Sequence, residues 1–203
     1  ILLPYKENFT TTSAGAVSLF VNDMNKESYF KNTTYIFGNT TSKKALSKNY
    51  INLELKKKIL QSTSKLYVES FLNYEKQNNS DLIEVHNRPN YIKLIKKEYK
   101  KKLILYFHND PITMNGSKLK SERIYLLNNV DKIIFNSNWS KKRFFIDLPN
   151  KELLSQKTAL FSPDNTSVEI KNEFIVEYDD FLKILQNNIE RDCLKIQDFP
   201  IQP

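Results

Sequence analysis

The chain is short of cysteine, glycine and histidine, and each shortage excludes a class of protein. Cys193 is the single cysteine among 203 residues, so neither a disulfide framework nor a cysteine-built zinc site can form within the chain. A reducing, cytoplasmic setting is the resulting expectation. The three glycines, Gly15, Gly38 and Gly116, cannot compose G-x-G-x-x-G, which counts against a standard dinucleotide fold. They cannot compose G-x-x-x-x-G-K-[ST] either, which excludes the usual phosphate-loop kinase or GTPase. No G-x-S-x-G elbow is present, so a serine hydrolase has little support. The two histidines, His86 and His108, lack the spacing of a helical zinc motif, and Asp110 does not complete a ligand set; no metal site is assigned. No apolar run approaches the roughly 18 to 20 residues of a membrane span. The opening Ile-Leu-Leu-Pro-Tyr-Lys is too short and poorly flanked for a signal peptide.

What is present points to a packed domain. Hydrophobic residues make up 40% and charged residues 27%, outside the pattern of disordered chains, and the length suits one compact domain with a short appendage. Lysine and arginine total 31 against 23 acids, a net charge of +8. That balance favours partners bearing phosphate or anionic lipid, although a chain rich in Lys, Asn and Ile throughout also gains lysines by compositional drift.

Hydrophobic periodicity gives the order of elements. Residues 1–3 read as a strand, followed by a loop holding Gly15 and a helix carrying Val17, Phe20, Val21 and Met24 on one stripe. Residues 33–37 read as a strand closed at Gly38, and a linker runs through Asn52. A long helix is expected over 54–77, with Leu55, Ile59, Leu66 and Phe71 near one face and the Asn78-Asn79-Ser80 cluster as its stop. Strands at 81–85, 103–107, 132–135 and 158–161 then alternate with helices at 89–99, 118–128 and 138–146. Such alternation predicts an α/β fold, a mainly parallel sheet covered on both faces, because parallel neighbours need crossover helices. In the tail, Tyr178, Phe181, Leu182, Leu185 and Ile189 form a helical stripe expected to dock back onto the domain. The predicted division is 1–161 for the domain and 162–203 for the tail.

Both histidines stand at the carboxyl end of a predicted strand in nearly the same phrase, Val85-His86-Asn87-Arg88-Pro89 and Phe107-His108-Asn109-Asp110-Pro111. Open parallel sheets bind ligands outside the carboxyl ends of their strands, and Gly15 follows the first strand at that same edge. A glycine before a helix lets backbone approach a phosphate, with the helix N-terminus supplying amide donors. A strand-end histidine that merely bonds a neighbouring carbonyl is the bland alternative; the pair together with Gly15 favours a site.

The loop Thr12-Ser13-Ala14-Gly15-Ala16, the strand end Leu105 to Pro111, and the block Val130 to Phe144 with Ser137, Trp139 and Arg143 together resemble the N-terminal domain of GT-B glycosyltransferases of the family-4-like, "group 1" kind. The resemblance covers roughly residues 1–161. It implies a Rossmann-like, acceptor-side lobe, with Gly15 and Ala16 facing the donor diphosphate and His108 beside the transferred sugar in a catalytic role shared with Asp110. Asn109 and a mobile 111–118 loop would look toward the acceptor. His86, Asn87 and Arg88 would line the same cleft, Arg88 meeting an acceptor phosphate or carboxylate by a bidentate contact, and Ser137 and Arg143 would be secondary members. Such transferases use the nucleotide-sugar as substrate and need no cofactor.

The sequence departs from that family past residue 161. The second lobe, which in the family holds most of the nucleotide-sugar, has no counterpart: Glu169 and Glu177 have its Glu-x7-Glu spacing, but no Gly or Pro lies between them. The match is read as chance. Expected partners are a nucleotide-sugar donor and a saccharide or lipid-linked acceptor, in cell-surface polysaccharide or lipopolysaccharide synthesis. The basic amphipathic stretch 92–102 would suit an inner-leaflet surface, but a solvated helix face in a lysine-rich chain is the favoured reading. The competing readings are a lone lobe acting as a non-catalytic binding module and, with no recognisable motif to support it, a basic nucleic-acid-binding domain.

Overall fold

The computed structural model describes residues 1–40, 44–55, 61–148 and 157–160. Its elements run α1 (Ala16–Glu27), β1 (Ile36–Gly38), β2 (Tyr50–Asn52), α2 (Thr63–Asn78), β3 (Leu82–His86), α3 (Pro89–Glu98), β4 (Lys102–Phe107), a 3-10 turn (Pro111–Thr113), α4 (Lys120–Asn129), β5 (Lys132–Phe135), α5 (Asn138–Phe144) and β6 (Thr158–Leu160). Every pairing between these strands, among the described residues, is parallel. Leu2 joins the two ladders: it bridges Phe37 of β1 and Val85 of β3, both in parallel. Its N–H donates to the Glu84 carbonyl at 2.7 Å, and its own carbonyl accepts from the His86 N–H at 3.1 Å. The sheet therefore reads β2, β1, residues 1–3, β3, β4, β5, β6. Strand order reverses between residues 1–3 and β3. That is the arrangement of a doubly wound sheet, and the reversal opens a crevice above the two carboxyl ends.

The alternation of side chains across the strands divides the interior in two. Ile83, Val85, Leu103, Leu105, Phe107, Ile133 and Phe135 pack under α2, α3, α4 and α5, with Tyr67, Phe71, Ile92, Leu126 and Phe144. The other face carries Ile104, Tyr106 and Ile134 against Phe20 of α1, while Val17 and Val21 meet Leu3, Phe9 and Ile36. Helices thus cover both faces of a Rossmann-like α/β sheet, as the alternation of elements implied.

Helix boundaries follow local chemistry. Ser62 accepts from the Lys65 N–H at 3.3 Å, and Asn79 closes α2 in the left-handed conformation at φ 52°. The helix expected over 54–77 therefore begins later, at Thr63: Leu53 is still extended, its N–H bonded to the Gly38 carbonyl, and residues 56–60 fall outside the described set. The buried face of α2 is Tyr67, Val68, Phe71 and Leu72, with Leu66 only half-buried. The expected linker through Asn52 contains β2, whose Tyr-Ile-Asn has no apolar run to signal it. Pro89 takes the first turn of α3. The 162–203 tail, with its helical stripe, Glu169, Glu177 and Cys193, lies outside the described residues.

Candidate functional site

Period-two alternation along β3 puts Glu84 and His86 on one face, and the register sets His86 opposite Tyr106. His108, two residues beyond Tyr106, follows on the same face just past the end of β4. His86 Nδ1 and His108 Nε2 lie 2.8 Å apart, and His86 Nε2 is hydrogen-bonded to the Glu84 carboxylate. Glu84 and His86 are buried, His108 half-buried. Aromatic rings frame the pair. Tyr106 stacks on His86 at 5.2 Å and 8° and on His108 at 4.5 Å and 17°, while Phe20 of α1 meets His108 edge-on at 5.0 Å. Burial, with the neighbouring His86 adding to it, lowers His108 to about 3. Burial and then the Glu84 charge push the Tyr106 phenol up.

A polar seam runs along α1 beside these groups. Ser18, Asn22 and Asn25 are all buried, and Ser18 Oγ, Asn22 Oδ1 and Asn25 Oδ1 have no hydrogen-bond partner. Asn25 and Ser28 line a small cavity together with Glu84, His86 and Phe20.

The strand ends are clasped by Asn87, held at φ 53°. Its Oδ1 accepts from the backbone N–H of His108 and of Asn109, each at 3.3 Å, and its own N–H donates to the Tyr106 carbonyl at 2.7 Å. Asn136 Nδ2 donates to the His108 carbonyl at 2.8 Å, so β5 also fixes that turn. Arg88 folds back, Nη1 to the Asn87 carbonyl at 2.8 Å. Asp110 grips Arg143 by a forked ion pair, 2.9 Å to Nη2 and 3.2 Å to Nε, and it also accepts from the Ile112 N–H. Hydrogen bonding to Asp110 raises the Arg143 guanidinium. Arg143 lies over the exposed Trp139 ring at 5.7 Å. Ser137 caps α5, accepting from the Ser140 N–H at 3.2 Å.

Seven of the sequence-derived site residues, His86, Asn87, Arg88, His108, Asn109, Asp110 and Arg143, gather around two adjacent strand ends. Asp110 and Arg143 are each other's partners there. The 111–118 loop, read from the sequence as mobile, is pinned: Gly116 sits at φ 94°, where a Cβ would meet the Asn90 nitrogen at 2.5 Å, and Ser117 is buried with its hydroxyl on the Pro111 carbonyl.

Gly15 and Ala16 open α1, where the chain's own Glu7 has arrived. A Cβ on Gly15 would stand 2.1 Å from Glu7 Oε1, and that oxygen accepts from the Ser18 N–H at 3.1 Å. A carboxylate against the first-turn amides satisfies donors the helix cannot use and complements its dipole. The sequence reading missed Glu7, Glu84, Phe20, Tyr106 and Asn136. Glu84 had a signal: a glutamate interrupting the buried run Leu-Ile-Glu-Val-His, two residues before a histidine. Glu7 had none, because its partner Ser18 lies eleven positions on, across a loop and inside α1.

No protein-family model matches the chain, and no curated protein matches it. Among solved structures the fold is similar to sucrose-phosphate synthase from Thermosynechococcus elongatus, with TM-score 0.52 and 13% identity, covering 78% of this chain and 46% of that one. The fold is a GT-B-like lobe. A second structure of the same enzyme gives TM-score 0.48 at 12% identity, covering 96% of this chain and 98% of that one. The chain spans about half the length of the first structure, and at this identity the likeness concerns the fold. None of the helices among the described residues is long and apolar enough to cross a membrane, and no cluster of metal-ligating side chains occurs among those residues.

Proposed function

We propose that this lobe is the acceptor side of a GT-B glycosyltransferase of the family-4-like kind, which moves a sugar from a nucleotide-sugar donor to a saccharide or lipid-linked acceptor. The observation that carries the reading is the bonded histidine pair, set where strand order reverses and where doubly wound sheets take their ligands. In this reading His108 faces the reacting sugar, His86 supports it, and Asn109 with the Asp110–Arg143 pair borders the acceptor. Gly15 and Ala16 sit toward the donor diphosphate, which would have to share the first turn of α1 with Glu7. The pathway is that of cell-surface polysaccharide or lipopolysaccharide, at the cytoplasmic face of a membrane. The Glu7 carboxylate favours a second reading, a binding lobe without transfer activity, because it already accepts from the Ser18 N–H, a first-turn amide that a phosphate would need.

The test uses the whole natural protein that contains this chain, incubated with a panel of nucleotide-sugars while nucleoside diphosphate release is followed. Transfer is expected with at least one donor, and His108→Ala should lower turnover by about 10²–10⁴-fold with the circular dichroism spectrum unchanged. Calorimetry without donor binding to any member of the panel would leave the binding lobe as the surviving reading.

A further inference from the structure

Glu84, His86 and His108 form a chain whose chemistry is fixed by which atoms can donate. A carboxylate only accepts, so the hydrogen bond between Glu84 and His86 carries its proton on His86 Nε2. In neutral His86 the other nitrogen, Nδ1, is then a lone pair, and the 2.8 Å contact to His108 can only be a bond donated by His108 Nε2. Neutral His108 is left with a lone pair on Nδ1, on a ring that is half-exposed. We infer that Glu84 is a positioning residue that sets both imidazole tautomers and so makes His108 Nδ1 the proton acceptor of the site.

The surroundings keep this polarity. Tyr106 on β4 stacks on both rings, and the α1 residues that line the cavity with Glu84 and His86 are Phe20, Val21, Met24 and Asn25, which bring no charge. Among the described residues, Glu84 is the one acidic side chain lining that cavity.

The inference rests on the transferase reading for its reaction. An acceptor hydroxyl gives its proton to His108 Nδ1 as its oxygen bonds to the anomeric carbon of the donor. The bond from that carbon to the diphosphate breaks, and its electron pair leaves on the diphosphate. The proton on His108 Nε2 passes to His86 Nδ1, which leaves an imidazolium at His86 between His108 and the Glu84 carboxylate. No proton has to enter the buried region from water.

The chain has two histidines, and in the whole natural protein labelled with 15N-histidine the resonances lost in His86→Gln and in His108→Gln assign their two imidazole spectra. The expected spectrum of the whole natural protein at neutral pH shows both rings protonated at Nε2 and bare at Nδ1. Glu84→Gln should reduce kcat by about 10²–10⁴-fold with KM unchanged. Glu84→Asp, which keeps the charge, should restore part of the loss. A wild-type His108 carrying its proton on Nδ1 would overturn the inference, as would a folded Glu84→Gln protein with the wild-type kcat. The wild-type spectrum decides this even if Glu84→Gln does not fold. Wild-type protein that turns over no donor, yet shows the two Nε2–H rings, would refute the transferase reading and leave the tautomer assignment standing.

Discussion

Gly15 shows how one residue can be required for two unrelated reasons. The sequence suggested close approach of a phosphate, whereas in the structure the space a side chain would fill is taken by Glu7. The backbone there, φ −75° and ψ 165°, suits any residue, so the constraint is contact and not conformation. Gly15→Ala should therefore displace the Glu7 carboxylate from the first turn of α1 and cost about 0.5–2 kcal/mol, the range for losing a cap. Glu7→Ala should cost a similar amount, and the double variant little more than either. Urea unfolding of the four proteins in a double-mutant cycle measures this, and strict additivity would separate the two residues. His108 makes a prediction in pH. Its value in the folded protein, about 3, lies below the ordinary 6.5 because of burial and the neighbouring His86, so below pH 6.5 the unfolded chain binds the proton that the folded chain refuses. Stability from this group is complete above 6.5 and declines as pH falls toward 3. The urea midpoint should decrease across that window, and His108→Gln should flatten the decrease.

At the scale of elements, boundaries written in capping chemistry were legible and those set by partners were not. The Asn78-Asn79-Ser80 cluster ends α2 where expected because Asn79 accepts the left-handed conformation at φ 52°. Asn79→Ala should cost about 1 kcal/mol, since alanine keeps the crowding Cβ but lacks the short polar side chain that lets asparagine take the left-handed conformation, while Asn79→Gly, without a Cβ, should be neutral or better. Thermal unfolding of the pair reads the sign directly. Gly116 combines φ 94° with a Cβ position 2.5 Å from the Asn90 nitrogen. Gly116→Ala should exceed the Asn79→Ala loss, because neither the backbone nor the start of α3 has room to yield. The missed strand β2 has the opposite character: Tyr50 and Ile51 are half-exposed and Asn52 exposed at the sheet edge, so nothing in its local composition marks it, and only pairing with β1 makes it a strand.

On the scale of the whole molecule, residues 1–3 hold the design together. Leu2 is completely buried, and its backbone ties β1 to β3, so one side chain and two ladders depend on the same position. Leu2→Ala should destabilise by about 2–5 kcal/mol, and hydrogen exchange should accelerate in both β1 and β3. Protection lost on one side alone would mean that the two parts of the sheet stand independently. The sequence by itself determined the alternation of helix and strand, the parallel sheet and the two histidines at strand ends, because hydrophobic period, caps and turns are local properties. Tertiary structure alone decided that the first strand sits between β1 and β3, that Glu84 and His86 meet His108, that Asp110 is held by Arg143, and that Glu7 fills the start of α1. Those outcomes depend on register and loop path between residues up to 84 positions apart in the chain, Leu2 to His86, and no local pattern encodes a distance of that kind.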